Sequence, residues 1–201
     1  MAAQTRRSKE QRARPRLSPD AWLDAARHSL IDGGVAAVKI ERLATALGVT
    51  IGSFYWHFKN RAALLKALLA DWRSTNTAAM AAAARRSGTS AFERFDAFVN
   101  VWVDESDYSP AYDSAVREWA RSSAEARAAV REVDLLRIAL LREIFADLGY
   151  DDDRAEVRAR ITYFHQIGYY ALDLRDDSAT RLRLRPLYFE ALRDGPGRGP
   201  K

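Results

Sequence analysis

The side chains of this sequence that are best suited to chemistry lie in residues 39–61, KIERLATALGVTIGSFYWHFKNR. Hydroxyl, phenol, imidazole and ammonium groups occur close together there, around a glycine that leaves room for an approaching molecule. Such groups hold phosphates and read base edges through single hydrogen bonds. The spacing therefore favours contact with nucleic acid. The residues concerned are Thr50, Gly52, Ser53, Tyr55, His57 and Lys59.

No set of catalytic or metal-binding residues accompanies this segment. The histidines are far apart in the sequence, and we interpret His57 as a phosphate contact or helix cap rather than a catalytic group. Cysteine is absent, which excludes thiolate nucleophiles, zinc fingers and iron–sulfur sites. The chain also lacks a glycine-rich phosphate loop and a Gly-x-Ser-x-Gly motif. We therefore expect that the protein is not an enzyme and has no metal and no cofactor.

Two short helices joined by a glycine are predicted to position the polar side chains. The first begins near Ile40 and ends before Gly48, a residue type that adopts the positive φ found just past a helix end. The second begins at Thr50, whose hydroxyl can cap it, and runs to about residue 58. A further helix precedes them over residues 19–32 and stops at two glycines. This pattern predicts a three-helix domain with a helix-turn-helix, whose second short helix can enter a major groove.

This segment resembles the DNA-binding domain of the tetracycline-repressor (TetR) family, over about residues 18–70. The resemblance implies that three residues face base edges and four contact phosphates of a double-stranded DNA operator. The run YWHFKN at residues 55–60 is especially similar to the tetracycline repressors. The implied base contacts are Ile51, Gly52 and Ser53, and the implied phosphate contacts are Thr50, Tyr55, His57 and Lys59. The motifs that carry the resemblance are Leu43-Ala44, Gly48-Val49-Thr50, Phe54-Tyr55, Phe58, Asn60 and Leu64-Leu65.

Some positions depart from the family or are open to two interpretations. Lys39 stands where the family usually has a capping Thr or Ser, and Glu41 stands where a basic residue is frequent. Trp56 fits either core packing or the rim of the groove, whereas Phe54 and Phe58 are expected in the core.

Helical periodicity continues through the rest of the chain, which predicts an all-α fold. A fourth helix, capped by Asn60, is expected to continue through the alanine-rich stretch to Ala84. Residues 180–185 alternate Arg and Leu as a strand would, but no partner strand is available. We therefore expect an irregular or helical entry to a last helix that begins near Pro186. The helices expected in between start near Ser90, before Tyr112, near Ser123 and at Asp151-Asp152-Asp153.

Charge and composition predict the domain organisation. Residues 1–16 contain six cations and one anion, a net charge of +5 that equals the net charge of the whole chain. This arm is interpreted as a solvated tail or as a phosphate contact. No stretch has the length of a membrane span or the pattern of a secretory signal, so we expect a cytoplasmic protein without membrane contact. The predicted parts are a basic, disordered arm (1–17), the helix-turn-helix domain (18–64), a helical effector-binding and dimerisation domain (65–194) and a disordered tail (195–201).

Large aromatic residues recur on several helices of the second domain. Singly such residues are typical of a core, but together they suit a mostly apolar pocket with a few polar groups. We therefore predict a small effector that is uncharged or weakly charged and largely apolar or aromatic. His165 alone fits a buried or interface histidine equally well. The predicted effector contacts are Phe98, Trp102, Tyr112, Trp119, His165 and Gln166.

Helix-turn-helix proteins usually bind DNA as two-fold dimers, so a dimer surface is expected. An apolar stripe runs along one predicted helix, and Gly168 within it allows another helix to approach closely. In the TetR family the corresponding helix pair forms a four-helix dimer interface, and the resemblance implies the same here. The alternative is packing in the core of one chain. The predicted interface residues are Val157, Ile161, Phe164, Gly168, Leu172, Leu187 and Leu192.

These observations predict a homodimeric transcriptional repressor that binds a palindromic operator and is released by a small molecule. Repression is implied by the resemblance and not by any residue. Within DNA binding, the alternative is an activator or a regulator that needs no effector. Outside DNA binding, the alternative is a helical carrier of small molecules.

Overall fold

The computed structural model describes residues 17–173 and 176–193, and the arm of residues 1–16 and the tail from residue 194 lie outside the described residues. The described residues form helices and no strand, in agreement with the predicted all-α fold. None of these helices is long and apolar enough to cross a membrane. The helices are α1 (Pro19–Ala37), α2 (Ile40–Ala46), α3 (Ile51–Phe54), α4 (Arg61–Thr75), α5 (Ala78–Ala84), α6 (Ala91–Asp104), α7 (Pro110–Ser122), α8 (Ala124–Asp147), α9 (Asp152–Leu172) and α10 (Ser178–Arg193).

The chain divides into two compact units, and the division lies within α4 between Leu68 and Leu69. The boundary predicted from the sequence follows residue 64, in the same helix. The first unit contains α1–α3 and the beginning of α4, and the second contains the remaining helices.

Helix α1 is interrupted by the two glycines at which the sequence predicts its end. Ser18 caps its first turn by accepting a hydrogen bond from the Ala21 N–H at 3.3 Å. Gly34 has a φ of 68°, which a residue with a side chain adopts only with strain. The predicted break at the two glycines is therefore confirmed, and the chain returns to helical geometry after it for one short turn up to Ala37. The Ser29 hydroxyl, which donates to the Ala37 carbonyl at 2.9 Å, anchors this turn to α1.

Aromatic packing and one arginine hold the first unit together. Phe54 meets Trp22 edge to face, with ring centroids 5.3 Å apart, and stacks on Phe58 at 5.5 Å. All three side chains are buried, as the sequence predicts for Phe54 and Phe58. Arg61, at the start of α4, donates to the Val38 carbonyl at 2.6 Å. This hydrogen bond holds the start of α4 to the end of α1, beside the core from which α3 projects.

The predicted continuous helix up to Ala84 is wrong, because the chain breaks between α4 and α5 at two buried polar residues. The Asn76 side chain donates to the Ser109 carbonyl at 2.9 Å and accepts from the Ser109 N–H at 3.3 Å. The Asn76 carbonyl also accepts from the Arg137 guanidinium at 2.9 Å. An uninterrupted helix would use that carbonyl internally, so these long-range hydrogen bonds favour the break.

Arg137 lies at the centre of the second unit and is fully buried. Its guanidinium pairs with Asp113 at 3.2 Å, and Asp113 pairs in turn with Arg117 at 2.6 Å. Arg117 also pairs with Asp134 at 2.7 Å, and the Tyr163 hydroxyl donates to Asp134 at 2.5 Å. Burial alone would raise the pKa of the Asp113 carboxyl, but the two guanidinium groups hold this pKa below its usual value. The network joins α7, α8 and α9.

The last helix begins eight residues before the predicted start near Pro186. Asp177 caps it by accepting from the Thr180 N–H at 2.7 Å. Pro186 lies inside α10, where it removes one backbone hydrogen bond without ending the helix. The segment 180–185 is therefore helical, as one of the two predicted options requires, and the predicted starting point is wrong. The predicted starts near Ser90, Ser123 and Asp151 are confirmed by side-chain caps at these residues.

The buried network predicts a large effect of one substitution on α8. Arg137→Met should lower the free energy of unfolding by about 3–5 kcal/mol, because it leaves Asp113 buried with one cation fewer. Arg142→Met on the same helix is the matched control. Its exposed pair with Asp152 predicts a loss of less than about 1 kcal/mol. Urea unfolding of both variants measures this difference, and equal losses would contradict a central role for Arg137.

Candidate functional site

A tight turn at Gly48 places α3 directly after α2. Gly48 has a φ of 65°. Its N–H donates to the Thr45 carbonyl at 3.1 Å, and the Val49 N–H donates to the Ala44 carbonyl at 3.0 Å. These two bonds form the motif that often ends a helix at a glycine. The four residues 47–50 therefore connect the two helices, and α3 starts at Ile51, as the sequence predicts.

Helix α3 is shorter than predicted, and its cap differs. It spans Ile51–Phe54, and the chain then continues in a turn closed by the Phe58 N–H, which donates to the Phe54 carbonyl at 3.0 Å. Thr50 precedes the helix in extended geometry, but its side chain makes no capping hydrogen bond. The prediction that this hydroxyl caps α3 is therefore wrong.

The side chains around α3 separate into a buried and an accessible set. Phe54 and Phe58 point into the core, while all seven residues predicted to contact DNA keep accessible surface. Trp56 is 77% exposed, which removes the core-packing interpretation of this residue. The exposed members of the predicted set are Thr50, Ile51, Gly52, Tyr55 and Lys59, and the half-buried members are Ser53 and His57.

Gly52 lies on the accessible side of α3 with open space around it. A Cβ atom built at this position meets only the Thr50 hydroxyl, at an ordinary 3.6 Å. The first unit could therefore accommodate a side chain here. Because Gly52 has no side chain, it leaves a gap on the outer surface of α3. A partner that approaches the backbone of α3 closely needs such a gap.

The second unit contains a cavity of about 600 Å³ between α6, α9 and α10. Three of the six predicted effector contacts line it, namely Trp102, His165 and Gln166. Phe98, Tyr112 and Trp119 do not line it. Phe98 is fully buried against the Trp102 ring, and the Tyr112 hydroxyl donates to Asp71 at 3.1 Å. Trp119 is buried in α7.

The part of the cavity wall that α10 supplies was not predicted from the sequence. The residues before Pro186 were expected in an irregular or helical entry to the last helix, and none of the α10 residues was predicted to contact an effector. The capping aspartate at 177 was the available signal. The α10 residues on the wall include Arg181, Leu182, Arg185, Tyr188 and Phe189, and α6 adds Phe92, Phe95, Asp96 and Val99.

The apolar stripe predicted on α9 is exposed. Its large side chains, on Val157, Ile161, Phe164 and Leu172, are 52% to 67% exposed. A Cβ atom added to Gly168 would have no neighbour within 4 Å. On α10, Leu187 is exposed, whereas Leu192 packs partly against the core. Among the residues that the structure describes, the α9 stripe thus lacks a covering element.

Comparison with known proteins identifies the first unit. Residues 23–68 match the family model of bacterial regulatory proteins of the tetR family. This segment of the chain is therefore similar to the DNA-binding domain of the TetR family. The HTH-type transcriptional regulator TtgR of Pseudomonas putida is 37% identical over 71 residues, which are 35% of this chain and 32% of TtgR. The probable regulator ArpR of Pseudomonas putida matches to the same extent, so the chain spans about a third of the length of these relatives.

Solved structures of other proteins share the fold of most of this chain. A putative transcriptional regulator from Pseudomonas aeruginosa PAO1 superimposes with a TM-score of 0.71 at 15% identity, over 92% of this chain and 94% of that one. A TetR transcriptional regulator from Legionella pneumophila gives 0.65 at 18% identity, over 88% and 94%. The predicted fold class is therefore confirmed. The two Pseudomonas putida relatives are named as transcriptional regulators, which agrees with the prediction that the protein is not an enzyme.

The structure explains one departure from the TetR pattern. Lys39 precedes α2 in extended geometry, and its side chain makes no capping hydrogen bond. Helix α2 thus begins without the cap that a Thr or Ser would supply. Its start is still held, because the Leu43 N–H donates to the Lys39 carbonyl at 3.0 Å. The exposed Glu41 lies in the first turn, where its negative charge favours the helix.

The open space at Gly52 predicts a separation of folding from DNA binding. Gly52→Leu should keep the melting temperature or raise it, because Leu has the higher helix propensity and meets no clash. Specific DNA affinity should fall to the non-specific level, about a thousandfold or more, since the side chain fills the gap. Ala36→Leu adds the same side chain at an exposed position of α1 and should leave DNA affinity unchanged. Thermal unfolding and fluorescence anisotropy measure both; unchanged affinity in folded Gly52→Leu would exclude this surface.

Proposed function

We propose that the chain is a transcriptional regulator that binds a palindromic DNA operator as a homodimer, represses from it, and is released by a small molecule. The observation that carries this proposal is the accessible surface of α3. Its polar residues, with the gap at Gly52, fit close approach to a major groove. The TetR-family match of residues 23–68 supports the same interface. DNA binding of this kind places the protein in the cytoplasm.

The proposed contacts divide into two classes by their chemistry. Ile51, Gly52 and Ser53 read base edges, because a short apolar chain, a gap and a small hydroxyl suit direct contact with bases. Thr50, Tyr55, His57 and Lys59 hold phosphates, which fixes the register of α3 without reading sequence. Trp56, as the most exposed large apolar side chain of the segment, is added to the rim of the groove.

The homodimer is proposed to form through α9 and α10. A palindromic operator requires two α3 helices about 34–36 Å apart, which only a two-fold pair of chains supplies. The α9 stripe, extended by Leu187, is the apolar surface proposed for this contact. Gly168 lets the two copies of α9 approach closely, because no side chain separates them. Leu192, which packs partly against the core, belongs at most to the rim of this interface.

Release by a small molecule is proposed to use the cavity between α6, α9 and α10. A ligand releases DNA only if it binds the released conformation more tightly than the bound one, and the coupling acts equally in both directions. The cavity volume of about 600 Å³ is in the range of sites for small molecules. Of the predicted effector contacts, Trp102, His165 and Gln166 remain in this proposal.

Selection of bound duplexes from a random pool tests the DNA-binding proposal. The full chain should enrich a palindromic sequence with half-sites about one helical turn apart. Gly52→Leu protein, used in parallel, should enrich none. Enrichment of a single asymmetric half-site would contradict the dimer, and no enrichment combined with ligand binding would favour the small-molecule carrier. A palindrome that lies upstream of the regulated promoter, rather than over it, would favour an activator.

The exposed α9 stripe predicts which substitution breaks the dimer. Phe164→Glu should weaken dimerisation by about a hundredfold or more, because it places a charge in an apolar contact. Leu135→Glu, at an equally exposed leucine on α8, is the matched control and should leave the dimer intact. Analytical ultracentrifugation over a concentration series measures both. Dissociation by Leu135→Glu alone would move the interface to α8.

A further inference from the structure

The cavity of the second unit has an apolar wall on all three of its helices. Phe95 and Val99 from α6, Ile161 from α9, and Leu182 and Phe189 from α10 contribute to the lining. The Phe95 and Phe189 rings are 4.9 Å apart, so an aromatic cluster closes one side. A ligand in this cavity is therefore in contact mainly with carbon.

The two arginines on the wall are already neutralised by the protein. Arg185 donates to Asp96 and to the Asn100 side chain. Arg181 pairs with Glu105 at 3.0 Å and donates to the Trp102 carbonyl at 2.7 Å. An anionic ligand would thus have to break an existing ion pair to find a cation on the described wall.

The remaining titratable groups on the wall do not favour an ion either. Asp176 is exposed, so the solvent screens its negative charge and weakens its attraction for a cation. The same negative charge repels an anion. The His165 ring packs at a tilt against the Tyr188 ring, with ring centroids 4.4 Å apart. Burial lowers the pKa of His165, which favours the neutral form of its imidazole. A neutral ligand suits this environment better than a charged one.

One polar side chain on the wall lacks the hydrogen bond that its burial calls for. Gln166 on α9 is more than nine-tenths buried, and its Nε2 atom has no partner among the described residues. A buried amide without a partner is costly, and a ligand oxygen can supply the missing acceptor. The last torsion of a glutamine is broad, so rotation about it turns either amide atom toward the cavity.

We propose that this cavity binds a neutral aromatic molecule with one carbonyl or hydroxyl oxygen, which accepts a hydrogen bond from the Gln166 amide. The rings of the ligand pack between the α6 and α10 side chains, with Trp102 forming part of the wall. The proposal names the ligand class for the effector site of the proposed function and rests on that function only for the effect on DNA. Gln166 selects an oxygen, and the paired arginines disfavour an acid of the same shape.

Three probes of nearly equal shape test this ligand class on the full chain without DNA. They are methyl naphthyl ketone, isopropenylnaphthalene, in which a methylene replaces the oxygen, and naphthoate, which carries a charge. Isothermal titration calorimetry should give about tenfold tighter binding for the ketone than for either of the others. Gln166→Leu should abolish the preference for the ketone over isopropenylnaphthalene while keeping the binding of the latter. Arg160→Ala, at an exposed position of α9 outside the cavity, is the control and should keep the preference.

Three results of the calorimetric titrations would overturn this inference. Tightest binding of naphthoate would mean that a cation is available, and equal binding of ketone and hydrocarbon would exclude the role of Gln166. Absence of binding for all three would exclude the cavity as an aromatic site. Operator affinity is measured separately with and without the ketone. Ketone binding without an effect on DNA would leave the ligand class intact and contradict only the release step of the proposed function.

Discussion

The edge-to-face packing of Phe54 on Trp22 fixes the surface that faces DNA in the proposed function. Helix α3 has only four residues, and a helix of that length has no stability of its own in water. Its orientation therefore depends on the side chain that it buries. Because Phe54 is anchored in the core of the first unit, the residues on either side of it are turned outward. The accessible polar surface follows from one buried ring.

The Gly48 turn completes this constraint from the other side. A positive φ lets the chain leave α2 and begin α3 after only four connecting residues, so the start of α3 has little freedom. Arg61 adds a third fixed point, since its guanidinium ties the start of α4 to the end of α1. A short helix held at both ends and in the middle is preorganised, which reduces the entropy lost when it binds.

Local signals predicted most helix starts, whereas long-range pairing was invisible in the sequence. The caps at Ser90, Ser123 and Asp151 satisfy backbone groups a few residues away, and such signals can be read from spacing alone. Arg137 looked like any other arginine of an amphipathic helix, because its partners come from other helices. The break at Asn76 was missed for the same reason, since its partners lie 33 and 61 residues away.

The candidate sites show the same division between local and long-range information. The α3 surface was predictable because all its residues lie within ten positions of each other, although the missing Thr50 cap and the short helix were not. Only half of the predicted effector contacts line the cavity. Its wall forms because α10 lies beside α6 and α9, and the sequence does not reveal this arrangement of the helices. Tyr112 and Trp119 have the right chemistry for an aromatic pocket, but their helix α7 contributes no residue to the lining of this cavity.

Helix α9 links the two proposals for the second unit. Ile161 lines the cavity and is also an exposed member of the α9 stripe, while Gln166 faces the cavity five residues later. A ligand that repositions α9 would therefore act on the proposed dimer contact without a separate relay. Such coupling requires the ligand to bind the two arrangements of α9 with different affinity. The position of Ile161 provides a physical source for that difference, because the same side chain would contact the ligand on one side and the second chain on the other.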